Sequence, residues 1–263
     1  MAGSETGIKT SPMKIALIGY GKMGRAIESL AMEKGIDVTG KVDPLTPFKD
    51  IFPQTLQQAD VCLDFSHPDS VKENIREAAA LGKCLVVGTT GWYDQIPEVK
   101  RIVKASNIGL IYSPNFSLGV NLFVKLAAKA AELFNPFPEF DIGGFEIHHN
   151  QKADLPSGTA ELVCETLLKH APRKQSVVYG SKKIKDPERE IHYPSLRIGH
   201  VPGTHEVIFD SPAETVTISC VSRNRQSFAM GALLAASWIR DRKGFFTFDD
   251  IINQILKDKH GIH

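Results

Sequence analysis

The sequence predicts an α/β protein: a doubly wound, Rossmann-like parallel sheet interrupted by an inserted α+β domain with an open mixed sheet. Three observations carry this. Short apolar runs alternate with helical patterns from Lys14 to Tyr112, a glycine motif joins the first run to the first helical pattern, and the sequence after Phe116 turns strand-rich without further strand–helix–strand repeats. Two closing helical patterns, Phe228–Ile239 and Phe248–Leu256, are expected to return to the first domain. The domains are therefore expected at 13–116 with 226–263, and at 117–225. Residues 1–12 are small, polar and aperiodic, and are expected to be a disordered extension or a vector-derived scar.

Composition excludes several classes. The chain has 263 residues, enough for a sizeable core, with 42% hydrophobic and 23% charged residues. Thirty-one basic against 30 acidic side chains leave a net charge of +1, which offers no general attraction to nucleic acid or anionic lipid. No apolar run approaches the ~20 residues of a membrane helix, and no signal-peptide pattern opens the chain; cytoplasm is the expected compartment. Cys62, Cys84, Cys164 and Cys220 have no CxxC spacing and are expected as free, mostly buried thiols, with no metal site.

The first strand, Lys14–Ile18, runs directly into Gly19-Tyr20-Gly21-Lys22-Met23-Gly24 and an amphipathic helix. In this context GxGxxG points to a dinucleotide. The first glycine makes the tight turn, the second admits the pyrophosphate, the third lets helix and strand pack, and the helix N-terminus offers free N–H groups. The strand Ile36–Val42 ends at Asp43, 24 residues beyond Gly19, the place of an acidic residue that binds the adenosine ribose. A carboxylate there repels a 2′-phosphate, which favours NADH over NADPH, although Lys41 and Lys49 are near in sequence. Further strands are expected at 61–65, 84–87 and 108–112, and helices at 70–81 and 94–105. The strand-end loops Asp64–Pro68, Gly88-Thr89-Thr90-Gly91 and Ser113-Pro114-Asn115-Phe116-Ser117 then share one sheet edge, where ligands bind in such folds.

In the second domain a helix is expected over Leu118–Phe134, a strand over Phe140–His148 and a helix over Thr159–Lys169. Residues 173–195 read as an exposed loop or flap, and strands are expected at 196–198, 205–209 and 215–221. Phe145–Ala160 concentrates the chemistry. Along an extended strand His148 and His149 point to opposite faces, and Lys152 is roughly 13 Å beyond His148 unless the chain bends at Asn150-Gln151. Histidine and lysine suit proton transfer. Ser157-Gly158-Thr159 places N–H groups and hydroxyls at a helix start, an anion cradle or a plain helix cap. Together these groups point to hydride transfer onto a small carboxylate.

Residues 148–160, HHNQKADLPSGTA, closely resemble the signature HHxxKxDxPSGTA of the dihydrodipicolinate (4-hydroxy-tetrahydrodipicolinate) reductase family. The resemblance extends to GYGKMGR at 19–25, DFSHP at 64–68, VGTTG at 87–91, SPNFS at 113–117, RxGxxxGxHEVxF at 197–209 and SRNRQSFAMGA at 222–232. It implies reduction of a cyclic unsaturated imino dicarboxylate by NAD(P)H in lysine and diaminopimelate biosynthesis. It makes His148 a proton donor or acceptor and Lys152 a proton donor. Substrate binding falls to His149, Ser157, Gly158 and Thr159, and the cofactor is lined by Gly19–Gly24, Asp43, Gly88–Thr90 and Ser113–Phe116. It also implies a homotetramer built through the sheet of the substrate domain. Asn150 and Gln151 stand where many members carry arginine and histidine, and Pro44 where many carry arginine.

Two rivals differ in what they require. Another NAD(P)-dependent reductase of the aspartate-semialdehyde type needs a nucleophilic cysteine in an active-site motif. A non-catalytic dinucleotide-sensing regulator needs no proton donors.

Overall fold

The computed structural model describes residues 12–43, 54–180 and 183–260. The expected N-terminal extension, Pro44 and Lys49 lie outside the described residues. The chain divides into two compact units, one running to Phe116 and resuming at Phe228, the other spanning Ser117–Ser227.

In the first unit the order is β1 (Lys14–Ile18), α1 (Lys22–Glu33), β2 (Asp37–Val42), β3 (Val61–Asp64), α2 (Pro68–Ala80), β4 (Cys84–Val87), α3 (Ile96–Ser106) and β5 (Gly109–Tyr112). These strands are short, almost wholly apolar runs because both faces of the sheet are covered; β3 and β4 are buried at every residue. The core joins Ala16, Ile18, Cys62, Leu85 and Val87 of the strands to Val71, Ile75 and Ala78 of α2 and Val99 and Val103 of α3. Pro68 begins α2 and Pro97 lies in the first turn of α3, where a missing N–H costs nothing.

The second unit contains α4 (Leu118–Phe134), β6 (Asp141–His148), α5 (Gly158–His170), β7 (Ser176–Val178), β8 (Glu190–His192), β9 (Ser195–Arg197), β10 (Thr204–Asp210) and β11 (Thr215–Val221). The chain closes with α6 (Gln226–Ile239), β12 (Gly244–Thr247) and α7 (Phe248–His260). β12 is a short strand the sequence reading lacks. Its Phe245-Phe246 run continues without a turn into the helical pattern at Phe248, which hides it, yet it pairs in parallel with β5 and completes a six-stranded parallel sheet ordered β12-β5-β4-β3-β1-β2. The order reverses between β1 and β3, and a ligand crevice is expected at the carboxyl ends of those strands.

The second sheet is ordered β11-β10-β6-β8-β7 and is mixed: β10 is antiparallel to β6 and β11, while β6–β8 and β8–β7 are parallel. α4 and α5 cover one face through Phe123, Ala127 and Ala131, and through Ala160, Val163, Cys164 and Leu167. These recur at three- and four-residue spacing, one stripe of each helix. Residues 173–195 are not an exposed flap. They contain β7 and β8, and Lys174 is buried with its ammonium 2.5 Å from Asp141 and 3.0 Å from the Glu190 carbonyl. The polar, basic composition around β7 and β8 masks both strands, which is why it suggested a loop. β8 and β9 follow one another along the same edge of β6, broken at Pro194, which has no N–H to give the ladder but whose carbonyl accepts from Glu146 N–H.

Candidate active site

In the first unit the chain leaves β1 at Gly19, with φ +89° and its N–H donating to the Val42 carbonyl at 2.8 Å, so the end of β2 lies beside the glycine turn. A Cβ on Gly19 would stand 2.4 Å from the Phe65 carbonyl oxygen, and one on Gly24 2.4 Å from that of Gly19; beside Gly21 nothing lies within 4 Å. The outer glycines are thus required by the protein's own backbone, while the middle one fronts open space. α1 starts there with an extended Gly21, no side-chain cap and no acidic residue in its first turn, which leaves its N–H groups and partial positive charge for a ligand anion.

A crevice of about 380 Å³ lies against this turn, lined by Gly21, Lys22, Met23, Ser66 and Gly88-Thr89-Thr90 among others. Its floor is fixed by Asp64, fully buried at the end of β3. Its carboxylate accepts from Ser66 Oγ at 2.7 Å, Thr89 Oγ1 at 2.8 Å and Asn74 Nδ2 at 2.7 Å, tying the β3 loop to the β4 loop. Burial pushes this carboxyl up, against the pull of those donors. The β5 loop is shaped by Ser113, whose hydroxyl donates to the Asn115 carbonyl at 2.8 Å, with Pro114 exposed at the tip and Phe116 buried. Near the end of β2, Lys41 lies 2.6 Å from Glu28 and 4.6 Å from the centre of the Tyr20 ring, whose hydroxyl donates to Glu28. These contacts raise the Lys41 ammonium and lower the Glu28 carboxyl.

In the second unit, alternation along β6 sends Glu146 and His148 to one face, both buried. Glu146 is the hub. Its carboxylate accepts from Ser157 N–H at 2.9 Å, from the Ser157 hydroxyl and from Arg197 Nη2 at 3.0 Å, and it lies 3.3 Å from His148 Nδ1 and 4.0 Å from His205 Nδ1. Burial alone would raise its pKa, but His148, Ser157 and Ser195 outweigh burial and hold the carboxyl well below its usual range. His205, on β10, packs edge-on against His148 with ring centres 5.2 Å apart. Burial, and then the neighbouring His148, push it down to about 4. Ligand atoms of Glu146, His148 and His205 lie within 4.8 Å of one another, but the carboxylate is already committed to Ser157 and Arg197.

After His148 the chain turns: Lys152 N–H donates to the His149 carbonyl at 3.1 Å and Asn150 N–H to that of Gly199 at 3.3 Å. Lys152 lies 2.7 Å from Asp154, which also accepts from the Gly158 N–H at the start of α5; these donors lower the Asp154 carboxyl against its partial desolvation. Ser157 caps α5, accepting from Ala160 N–H at 3.1 Å. Its N–H and hydroxyl both go to Glu146, so Ser157 stands behind the helix start, and Gly158 and Thr159 form its rim. A Cβ at Gly203 would stand 2.9 Å from His148 Nε2, so that ring is bounded by bare backbone.

Two family models match the chain, "Dihydrodipicolinate reductase, N-terminus" over residues 13–116 and "Dihydrodipicolinate reductase, C-terminus" over 119–252. The chain belongs to the dihydrodipicolinate reductase family. Among curated relatives, the 4-hydroxy-tetrahydrodipicolinate reductase of Christiangramia forsetii is 35% identical over 94% of this chain and all of its own length. That of Caldanaerobacter subterraneus subsp. tengcongensis is 34% identical over 92% and all of its own. The dipicolinate-bound dihydrodipicolinate reductase from Paenisporosarcina sp. TG-14 has the same fold, with a TM-score of 0.72 at 22% identity, covering 92% of this chain and all of that one.

Within this dihydrodipicolinate reductase frame the loops expected to line the cofactor follow the carboxyl ends of the parallel strands, and His148, Lys152, Ser157 and Gly158 gather around the end of β6. Sequence reading missed Glu146, Arg197 and His205 as site residues. Arg197 and His205 stand in the 197–209 motif, but only the sheet register brings them to Glu146. No cysteine has the setting of a nucleophile: Cys62 and Cys164 are buried, and burial raises both thiols to about 12.

Proposed function

We propose that this chain reduces 4-hydroxy-tetrahydrodipicolinate, by way of dihydrodipicolinate, to tetrahydrodipicolinate with NADH or NADPH, in lysine and diaminopimelate biosynthesis. The observation that carries this reading is a carboxylate-anchored His148 beside the start of α5, in a chain of this family whose glycine turn is open at Gly21. The dinucleotide, when bound, supplies the hydride. Gly19, Tyr20, Gly21, Lys22, Met23 and Gly24 hold its pyrophosphate, Asp43 its adenosine ribose, and Gly88, Thr89, Thr90 and Ser113–Phe116 line its remaining length.

On the substrate side His149 and the Gly158-Thr159 backbone bind carboxylate, and Lys152 and His148 handle protons. Because Nδ1 of His148 faces Glu146, Nε2 is the atom left to exchange a proton with substrate. Lys152 and the Gly158 N–H are held by Asp154. A substrate carboxylate therefore replaces a carboxylate of the chain's own, and Lys152 is released as it binds.

The lean toward NADH rests on Asp43 and is supported by the pairing of Lys41 with Glu28. A homotetramer is proposed through the face of the mixed sheet opposite α4 and α5, where Phe145, Ile147 and Ile208 are only half-buried; light scattering tests it. Cytoplasmic residence is supported by free thiols and by the absence, among the described residues, of a helix long and apolar enough to cross a membrane; cell fractionation tests it. The decisive assay is substrate-dependent oxidation of NADH and NADPH with freshly prepared substrate. No oxidation of either would sink the reading.

A further inference from the structure

Four groups from four places in the chain converge on one fully buried carboxylate, and the assigned chemistry gives that carboxylate no part. Glu146 reaches His148 two residues along its own strand, Ser157 at the cap of α5, Arg197 on β9, and His205 on β10 behind. We propose that Glu146 is the positioning residue of the site: it orients and charge-supports His148 while fixing the Ser157 cap, so the proton-handling ring and the carboxylate-binding helix start are held as one rigid piece. This rests on the reading given above for His148 and Gly158.

A neutral imidazole has one N–H and one lone pair, and which nitrogen carries the proton follows from what the other faces. Nδ1 of His148 is buried 3.3 Å from the Glu146 carboxylate, so a proton placed on Nδ1 meets negative charge, while Nε2 faces the backbone gap at Gly203. The second carboxylate oxygen takes Ser157 N–H, and Ser157 Oγ in turn accepts from Ala160 N–H inside the first turn of α5. Moving Glu146 by a few tenths of an ångström therefore moves both the ring and the cap.

Arg197 has an opposing part. It lies 3.0 Å from Glu146 Oε1 and also donates to the Asp154 carbonyl, so it anchors the loop while drawing negative potential away from His148. The ionisable groups around the ring are Glu146, His205, Arg197 and, from the loop, Lys152, whose charge also bears on His205. One of them is negative.

Two substitutions then have opposite signs. Glu146→Gln keeps shape and hydrogen-bonding capacity but removes the charge that supports the imidazolium. Expected are a loss in kcat of about 10²-fold, the scale of a misplaced acid–base group, and a shift of the alkaline limb of the kcat pH profile toward acid. Arg197→Gln removes the competing cation and shifts the same limb toward alkali. Ser157→Ala, which keeps the backbone N–H bond to Glu146 and the charge of both partners but removes the hydroxyl that joins Glu146 to Ala160 N–H, raises KM for the dicarboxylate and the Kd for dipicolinate several-fold while leaving the limb in place. NADH affinity stays within about twofold in all three.

Shifts of the same sign in the two charge variants, or an unmoved limb in both, would overturn the proposal, because a purely structural carboxylate predicts no sign change. Should Glu146→Gln not fold, the alkaline shift of Arg197→Gln and the KM-only effect of Ser157→Ala decide; absence of either overturns it. An inactive wild-type enzyme would instead refute the proposed reaction. Dipicolinate binding to Ser157→Ala, read without turnover, still reports on the cap.

Discussion

Lys41 is the described cation closest in sequence to Asp43, and its charge is spent on Glu28 at 2.6 Å. Asp43→Ala is expected to raise the kcat/KM ratio of NADPH to NADH, and Glu28→Gln to raise it again by about fivefold, the scale of one solvent-screened charge. Steady-state kinetics with both dinucleotides measures this; an unchanged ratio in the first variant removes Asp43 from cofactor choice. On the substrate side, His148→Ala and Lys152→Ala are expected to cut turnover by about 10²–10⁴-fold with NADH affinity nearly intact in fluorescence titration. Equal loss of NADH binding would move these residues away from the substrate. The glycine motif, paired histidines, lysine and Ser-Gly-Thr were readable because each lies within one short stretch. Glu146 was not, because its meaning comes from Arg197 and His205, 51 and 59 residues away, which only strand register brings near.

Among the elements, long apolar runs and amphipathic helices were legible, and Leu118–Phe134 and Thr215–Val221 form over the residues their patterns mark. β7, β8 and β12 were not, because the first two lie in a polar, basic stretch, the third runs straight into α7, and their stability comes from partners distant in sequence. The strand–turn–helix at Gly19 shows how little tolerance such a junction has. Gly19→Ala would place Cβ 2.4 Å from the Phe65 carbonyl at φ +89°. It should cost about 1–3 kcal/mol, lower the melting temperature and weaken dinucleotide binding, whereas Gly21→Ala should spare stability and weaken binding alone. Calorimetry beside NADH titration separates the two; equal stability losses would contradict the distinct roles of these glycines.

At the scale of the whole molecule, acid between pH 6.5 and 4 should bear most on the Ser117–Ser227 unit. His205 is held near 4 in the fold against 6.5 when unfolded, so its contribution is complete above 6.5 and is lost as pH falls toward 4. Glu146, held low, contributes above its unfolded value of 4.5 and begins to be lost below it. Asp64, raised by burial, works the other way in the first unit. The Ser117–Ser227 unit should therefore lose its thermal stability first between pH 6.5 and 4, and His205→Gln should flatten the upper part of that loss in calorimetry. An unchanged slope would exclude His205 as its source. β12 also bears on the order in which the chain can fold. It is the edge partner of β5, yet the ribosome makes it more than 130 residues later, after the whole second unit. A nascent chain that has not reached Gly244 leaves the Gly109–Tyr112 edge bare, an apolar strand able to pair with another chain. The inserted unit has all its strands before then and can fold first, so the part of the gene translated earliest is the last to be finished as structure.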